Sequence, residues 1–296
     1  MSVVIKSNNV ATVSLGTQKM LGKTAQSEFE AYKARVLADG GVIKDEERTL
    51  KAFNLLFSSG MYGHMNSAVS GTFGVKTNAS GGITKLYAID GTDLVGVTYG
   101  SGTLPTLDAS NNISFAANDP AQNVNGGMFT TQSKVICSKI GNFGYSVSVK
   151  DFGDTTSSRR LAGLTKHNDV PNTAIIAQLE TITSGDVVMQ VQADPLNLTT
   201  SGSIQGVGVR VVGYSYPMAS FLTVPEVSQR FGSRSGVQIL SLPGKTFTQI
   251  SIEDFYIDFG GTFQSNTKYF SKATVRDFFC FNQATREQST LLSSFV

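Results

Sequence analysis

Two aspartates of the segment Ser251-Ile252-Glu253-Asp254-Phe255-Tyr256-Ile257-Asp258 fall on one side of a strand, the nearest this chain comes to paired carboxylates. With side chains alternating along a strand, Asp254, Tyr256 and Asp258 share one face, and Glu253, Phe255 and Ile257 share the other. Four residues at roughly 3.3 Å each separate the two aspartates by about 13 Å. Hydrolysis of a glycosidic bond by two carboxylates needs about 5 to 9.5 Å, so this strand alone does not form such a site. The plainer reading is a strand with one apolar face and its polar residues turned to solvent.

Other chemistry is sparse. Only two histidines occur, His64 in GHMNS and His167 in TKHND, and neither has the Cys, Asp or Glu company of a zinc site or triad; both read as surface loop residues. Pro243-Gly244-Lys245-Thr246 imitates the end of a phosphate-binding loop, but Ile239 stands where the first glycine belongs and no helix pattern follows. Gly206-Val207-Gly208-Val209 lies inside an alternating strand, so it is not a dinucleotide fingerprint. Arg159-Arg160 reads as a solvated turn. Cys137 and Cys280 sit in apolar strand-like runs and read as two buried thiols, with one disulfide between them as the alternative. No catalytic residue is assigned, and the metal question is open.

The elements that would position these residues divide by hydrophobic period. Thr24 or Ser27 can cap a helix whose first turn carries Glu28 and Glu30. Phe29, Tyr32, Val36 and Leu37 make its apolar stripe, and Asp39-Gly40-Gly41 ends it. Asp45, Glu46 and Glu47 open a second helix, with Ile43, Leu50, Phe53, Leu56 and Phe57 as its stripe and Gly60 as its stop. Two such helices with a short connection lie antiparallel, and neither they nor their stripes are stable alone. The stripe either folds back on its own β body or docks on another subunit. In the second case Phe29, Tyr32, Val36, Leu50, Phe53 and Phe57 are the attachment interface.

Everything after about residue 81 reads as strands and turns. Candidates are ITKLYAID, DLVGVTYG, NISFAAN, residues 145–149 and 187–191, GVGVRVVGYSY, SGVQILSL, TFTQISIEDFYIDFGG and KATVRDFFCFN. The chain is 296 residues long, with 16% charged residues, 30 Gly and a net charge of +2. Low charge and abundant glycine suit many short strands joined by tight turns, and the small net charge argues against nucleic acid or an anionic membrane as partner. The expected fold is therefore mainly β: an N-terminal arm (1–22), a helical hairpin (23–60), a linker or first irregular strands (61–80) and an antiparallel β-sandwich (81–296). No apolar run is long enough for a membrane span or signal peptide, which predicts a protein neither inserted in a membrane nor exported by the usual route.

Two resemblances extend this reading. The stretch from Ala273 to Leu292 is similar to the closing strand of concanavalin-like, laminin-G-type jelly rolls, through Val275, Phe278, Phe279, Phe281 and Asn282, followed by Arg286 and Glu287. That likeness implies a jelly-roll sandwich. It also raises Ca²⁺ as a cofactor, for which Asp151, Asp154, Asp169, Asp186 and Asp194 are the loop candidates. The pattern Phe29, Tyr32, Arg35, Val36, Asp39, Gly40, Gly41 behind a polar arm resembles structural proteins of tailed-bacteriophage virions. It implies a tail, fibre or capsid-decorating component, made in the host cytoplasm and located in the virion. Such a component is not an enzyme; it is attached to other virion proteins through its N-terminal region, is a homo-oligomer, and turns its sandwich toward host surface polysaccharide. The alternatives are a lectin-like carbohydrate-binding module and a glycan-cleaving enzyme.

Overall fold

The computed structural model of the chain describes residues 22–116, 125–133, 142–151, 159–165, 175–181, 186–194, 197–205, 209–212, 216–217, 230–234, 237–242, 256–264, 267–281 and 284–295. The described chain runs α1 (Ala25–Ala38), β1 (Val42–Ile43), α2 (Glu46–Ser58), a 3₁₀ turn (Tyr62–His64), β2 (Met65–Ser70), β3 (Gly74–Thr77), β4 (Ile83–Tyr87), β5 (Leu94–Tyr99), β6 (Thr106–Leu107), β7 (Ile113–Phe115) and β8 (Gly126–Thr131). It continues with β9 (Asn142–Asp151), β10 (Arg159–Thr165), β11 (Ile175–Thr181), β12 (Asp186–Asp194), β13 (Asn197–Gln205), β14 (Val209–Val212), β15 (Tyr216–Pro217) and β16 (Arg230–Arg234). The last elements are β17 (Val237–Leu242), β18 (Tyr256–Phe259), β19 (Gly261–Gln264), β20 (Thr267–Phe270), β21 (Ala273–Phe281) and α3 (Arg286–Ser293).

The strands build an antiparallel sandwich. One sheet has ten strands in the order β1-β3-β4-β5-β8-β18-β10-β11-β12-β13; the other runs β17-β16-β14-β9-β21-β7-β6, with β15 on β9 and β2 on β21. Between them lies a core that includes Val69, Leu86, Phe129, Tyr145, Ile257, Phe259 and Phe278. Strand β21 is apolar on both sides: Val275, Phe278 and Cys280 enter this core, while Phe279 and Phe281 face a second cluster under the helices. Burial on both faces explains why Phe278-Phe279-Cys280-Phe281 is a continuous apolar run rather than an alternating one.

The helical hairpin forms as its sequence dictates. Thr24 caps α1 in a reciprocal box: Ser27 N donates to Thr24 Oγ1 at 3.0 Å and Thr24 N donates to Ser27 Oγ at 3.0 Å. Gly40 closes the helix with φ at +73°, and Gly60, at +72°, follows α2, whose N-cap Asp45 accepts from Arg48 N at 2.8 Å. Between the helices the chain does something the stripe pattern hides. Val42 and Ile43 form a two-residue strand opposite Val75 and Gly74, so Ile43 belongs to a sheet edge and not to the α2 stripe. Leu37, assigned to the first stripe, is 56% exposed.

Residues 61–80 are not a linker. Strand β2 lies beside β21, with Ala68 opposite Phe279 and Val69 opposite Phe278, and all six of its residues are buried. Its polar Asn66, Ser67 and Ser70 broke the apolar period in the sequence although the strand is buried along its whole length. The charged segment after the closing strand is also a helix, α3, capped by a Thr285–Gln288 box and tied to α2 by Gln288 Nε2 donating to Ser59 O at 2.8 Å.

Candidate functional site

The proposed attachment stripe is turned inward. Phe29, Tyr32, Val36 and Phe53 are at most 4% exposed and form one cluster with Phe73, Tyr87, Phe279, Phe281, Leu292 and Phe295; Leu50 and Phe57 pack against its edge. Phe29, Tyr32, Val36 and Phe53 thus form the interior between hairpin and sheet, with the half-buried Leu50 and Phe57 at its rim. The physical reason is area. Each buried Phe is worth about 1.5–3 kcal/mol, and the outer side of β2 and β21 presents an apolar surface of matching size within reach of a short hairpin.

Most residues of the Phe29-to-Gly41 pattern serve this internal contact, Gly40 instead closing the helix. The Tyr32 hydroxyl donates to Tyr87 O at 3.0 Å and accepts from Gly74 N at 2.7 Å, and burial raises its pKa well above the usual 10.0. Arg35 donates to both oxygens of Asp93 at 2.7 and 2.6 Å and to Ala88 O at 2.7 Å. Asp39 accepts from Tyr87 Oη at 2.7 Å, Lys85 at 3.1 Å and Lys76 at 3.2 Å, and these three bonds hold its carboxyl far below the usual range. Gly41 is pressed on the Tyr87 ring, where a Cβ has no room.

A second clamp comes from α2. The Arg48 guanidinium grips the Asp277 carboxylate at 2.8 and 2.9 Å, donates to Thr72 Oγ1 at 2.8 Å, and lies 4.4 Å from the Phe295 ring centroid. Asp277 is 0% exposed. Sequence reasoning passed over this pair, although two charges inside the apolar run of β21 were the available signal.

The carboxylate strand holds the other notable geometry. Asp258 was read as turned to solvent; it is 0% exposed. Thr130 Oγ1 on β8 donates to its Oδ1 and Thr165 Oγ1 on β10 to its Oδ2, both at 2.7 Å. It does lie away from the main core, because Ile257 and Phe259 take that side, so the strand alternates as expected while the surface it meets is covered. Asp254 lies outside the described residues.

One register row crosses the side of the ten-stranded sheet that lies away from the main core. It runs from Lys76 and Lys85 through Val95, Thr130, Asp258 and Gly163 to Gln178, Gln190 and Thr200. Beside it, Val97, Tyr99, Met128 and Phe270 form a small separate cluster, with Tyr99 and Phe270 ring centroids 5.9 Å apart. Burial, reinforced by the Asp258 charge, raises the Tyr99 pKa. Tyr256, two residues before Asp258, is half-buried on the same side.

Asp186 and Asp194 stand at opposite ends of β12, and eight residues at roughly 3.3 Å put them about 26 Å apart, too far to share an ion. Asp151 ends β9 in the other sheet, exposed; Asp154 and Asp169 lie outside the described residues. Among the described residues no three His, Cys, Asp or Glu side chains gather as a metal site. His64 closes the 3₁₀ turn and is half-buried rather than on a surface loop, and Arg159-Arg160 begins β10 rather than forming a turn. Cys280 is buried in β21. His167, Cys137, Asn282, Gly206 to Gly208 and Pro243 to Thr246 are outside the described residues.

No protein-family model matches the chain, and no curated protein does. Solved structures do. A receptor binding domain superposes on 82% of this chain and 53% of its own, with TM-score 0.52 and 12% identity. A structure from work on botulinum neurotoxin type C, whose cell entry depends on two ganglioside molecules, matches 80% of this chain and 52% of its own, with TM-score 0.52 and 11% identity. The binding domain of botulinum neurotoxin DC in complex with rat synaptotagmin II covers 79% and 52%, with TM-score 0.52 and 12% identity. The chain thus spans about half the length of these structures. At such identity the likeness establishes the fold, an antiparallel β-sandwich, and nothing about the ligand.

Proposed function

We propose that this chain is a recognition module: a virion-borne β-sandwich of a tailed bacteriophage whose sandwich faces outward and contacts host surface glycans. The observation that carries recognition over turnover is the state of Asp258. A carboxylate that is 0% exposed, with each oxygen engaged by a threonine hydroxyl, organises a surface and is in no position to attack or protonate a substrate. The structural likeness to receptor-binding domains supports the same class of function, as an analogy of fold.

The virion part of the reading rests on the Phe29-to-Gly41 resemblance. Because that stripe is internal, a mount in a homo-oligomeric particle would use other surface, and Leu37 and Val42, 56% and 52% exposed, are the large apolar side chains available at the hairpin. A free lectin-like module is the second reading, favoured by the receptor- and ganglioside-binding neighbours. Two measurements separate them. The purified chain should block adsorption of particles to host cells, and it should be present at fixed copy number in washed particles. Blocking without incorporation supports the free module, and failure of both sinks the recognition reading.

A further inference from the structure

We infer that α1 pairs with α1 of a second copy of the chain, antiparallel about a twofold axis level with the midpoint of Ala31 and Tyr32. Phe29, Tyr32 and Val36 close the inward side of this helix. Its outward side is unlike a helix face that meets only water, which carries mainly charged and polar residues. Ala31, Ala34, Leu37 and Ala38 are exposed there, and Leu37, at 56%, is the most exposed large apolar side chain among the described residues. Val42, 52% exposed, follows just beyond the turn that ends the helix.

Charge identifies the occupant as the same face of another copy. Gln26, Glu30, Lys33 and Leu37 follow one another at spacings of four, three and four residues, so they form one row along α1. The acid of this row lies in the N-terminal half of the helix and the base in the C-terminal half. In an antiparallel pair about the stated axis, Glu30 of each copy lies level with Lys33 of the other, and Leu37 with the apolar stem of Gln26. A parallel pair would instead set Glu30 against Glu30 and Lys33 against Lys33. Both charges are available for the contact. Glu30 accepts from Gln26 Nε2 at 2.7 Å and has no ion pair among the described residues; Lys33 meets Glu46 at 2.6 Å, and its ammonium has further N–H groups to donate. The adjoining row, Ser27, Ala31, Ala34 and Ala38, carries only small side chains, so the two helix axes can approach closely. One helix against one helix buries less than the roughly 1,200 Å² of a standard interface, which makes the pairing weak between free chains and effective between copies held side by side.

Sedimentation equilibrium of the full chain, up to about 1 mM, the effective concentration of tethered neighbours, tests this pairing. Reversible dimers are expected. Glu30→Lys and Lys33→Glu should each weaken association about tenfold or more, because both symmetry-related contacts become like-charged. Mixing these two variants, or joining both substitutions in one chain, should restore it, and Leu37→Glu should abolish it. These side chains lie outside the hairpin interior, so the fold is kept, as the thermal midpoint checks. A chain that is monomeric throughout overturns the inference. So does a dimer that Glu30→Lys and Leu37→Glu leave within twofold of the parent, or one that the mixed variants fail to rebuild. Adsorption blocking by the same variants reports on the glycan contact separately, so loss of the pairing and loss of the recognition reading are told apart.

Discussion

Asp277 and Asp258 are both completely buried on strands, yet they are held in different ways. Asp277 meets a guanidinium carried in by α2 from 229 residues away, whereas Asp258 meets threonine hydroxyls of its two neighbouring strands. The first contact joins separate parts of the chain: it fixes hairpin, β21 and the end of α3 as one body. The second is local to one sheet and fixes the relative position of β8, β18 and β10. A weld and a brace serve different purposes, and the weld explains why the hairpin cannot be the detachable mount that its short, amphipathic sequence suggests.

Substitutions should separate the two. The largest effect is expected for Arg48→Ala, which strands the Asp277 charge in the interior and should cost about 3–5 kcal/mol in denaturant unfolding. Exchanging both partners for apolar residues, Arg48→Met with Asp277→Leu, should recover most of that loss. An additive double variant would show that the pair is not coupled. Thr130→Val removes one hydroxyl from Asp258 and should cost about 1.5–3 kcal/mol, the range for a hydrogen bond to a charged group. If Thr130→Val proved worse than Arg48→Ala, the ranking of weld above brace would be reversed.

Titration sharpens the contrast further, because the hairpin side contains the most perturbed groups. Burial first, then hydrogen bonds or neighbouring carboxylates, raises Tyr62 and Tyr87, like Tyr32, above the ordinary value of 10.0. A raised folded pKa favours the neutral phenol, so this stability is complete below pH 10 and is lost as pH climbs toward the folded values. Phenolate absorbance should therefore appear late for three tyrosines, together with loss of the hairpin. The smallest effect belongs to Asp39, whose pKa is lowered by Tyr87, then Lys85 and Lys76. A lowered folded pKa gives stability that is intact at neutral pH and declines only as the pH falls below the ordinary 3.8. Asp39→Asn should lower neutral stability slightly and flatten the acid limb by the same small amount, since these pairs are largely exposed.

The sequence was legible where one residue type has one consequence. Thr24, Asp45, Gly40 and Gly60 marked the helix ends, and alternation marked β9, β12 and β18. It was opaque where a partner distant in the chain decides. Nothing near Asp258 announces the threonines at 130 and 165, and nothing near Val42 announces the strand at Val75. Polar β2 looked like a linker because hydrophobicity was the signal, while its position beside β21 is set by hydrogen bonding along the strand and by the small Ser67, Ala68 and Ser70.

The central claim is that the apolar face of the helical hairpin is packed onto the sheet as part of the folded body. Removing residues 1–60 tests it directly, because it uncovers Phe73, Tyr87, Phe279, Phe281, Leu292 and Phe295 together. The account predicts that the truncated chain loses its cooperative unfolding transition and its near-ultraviolet circular dichroism. A soluble 61–296 fragment that melts as sharply as the full chain would contradict it.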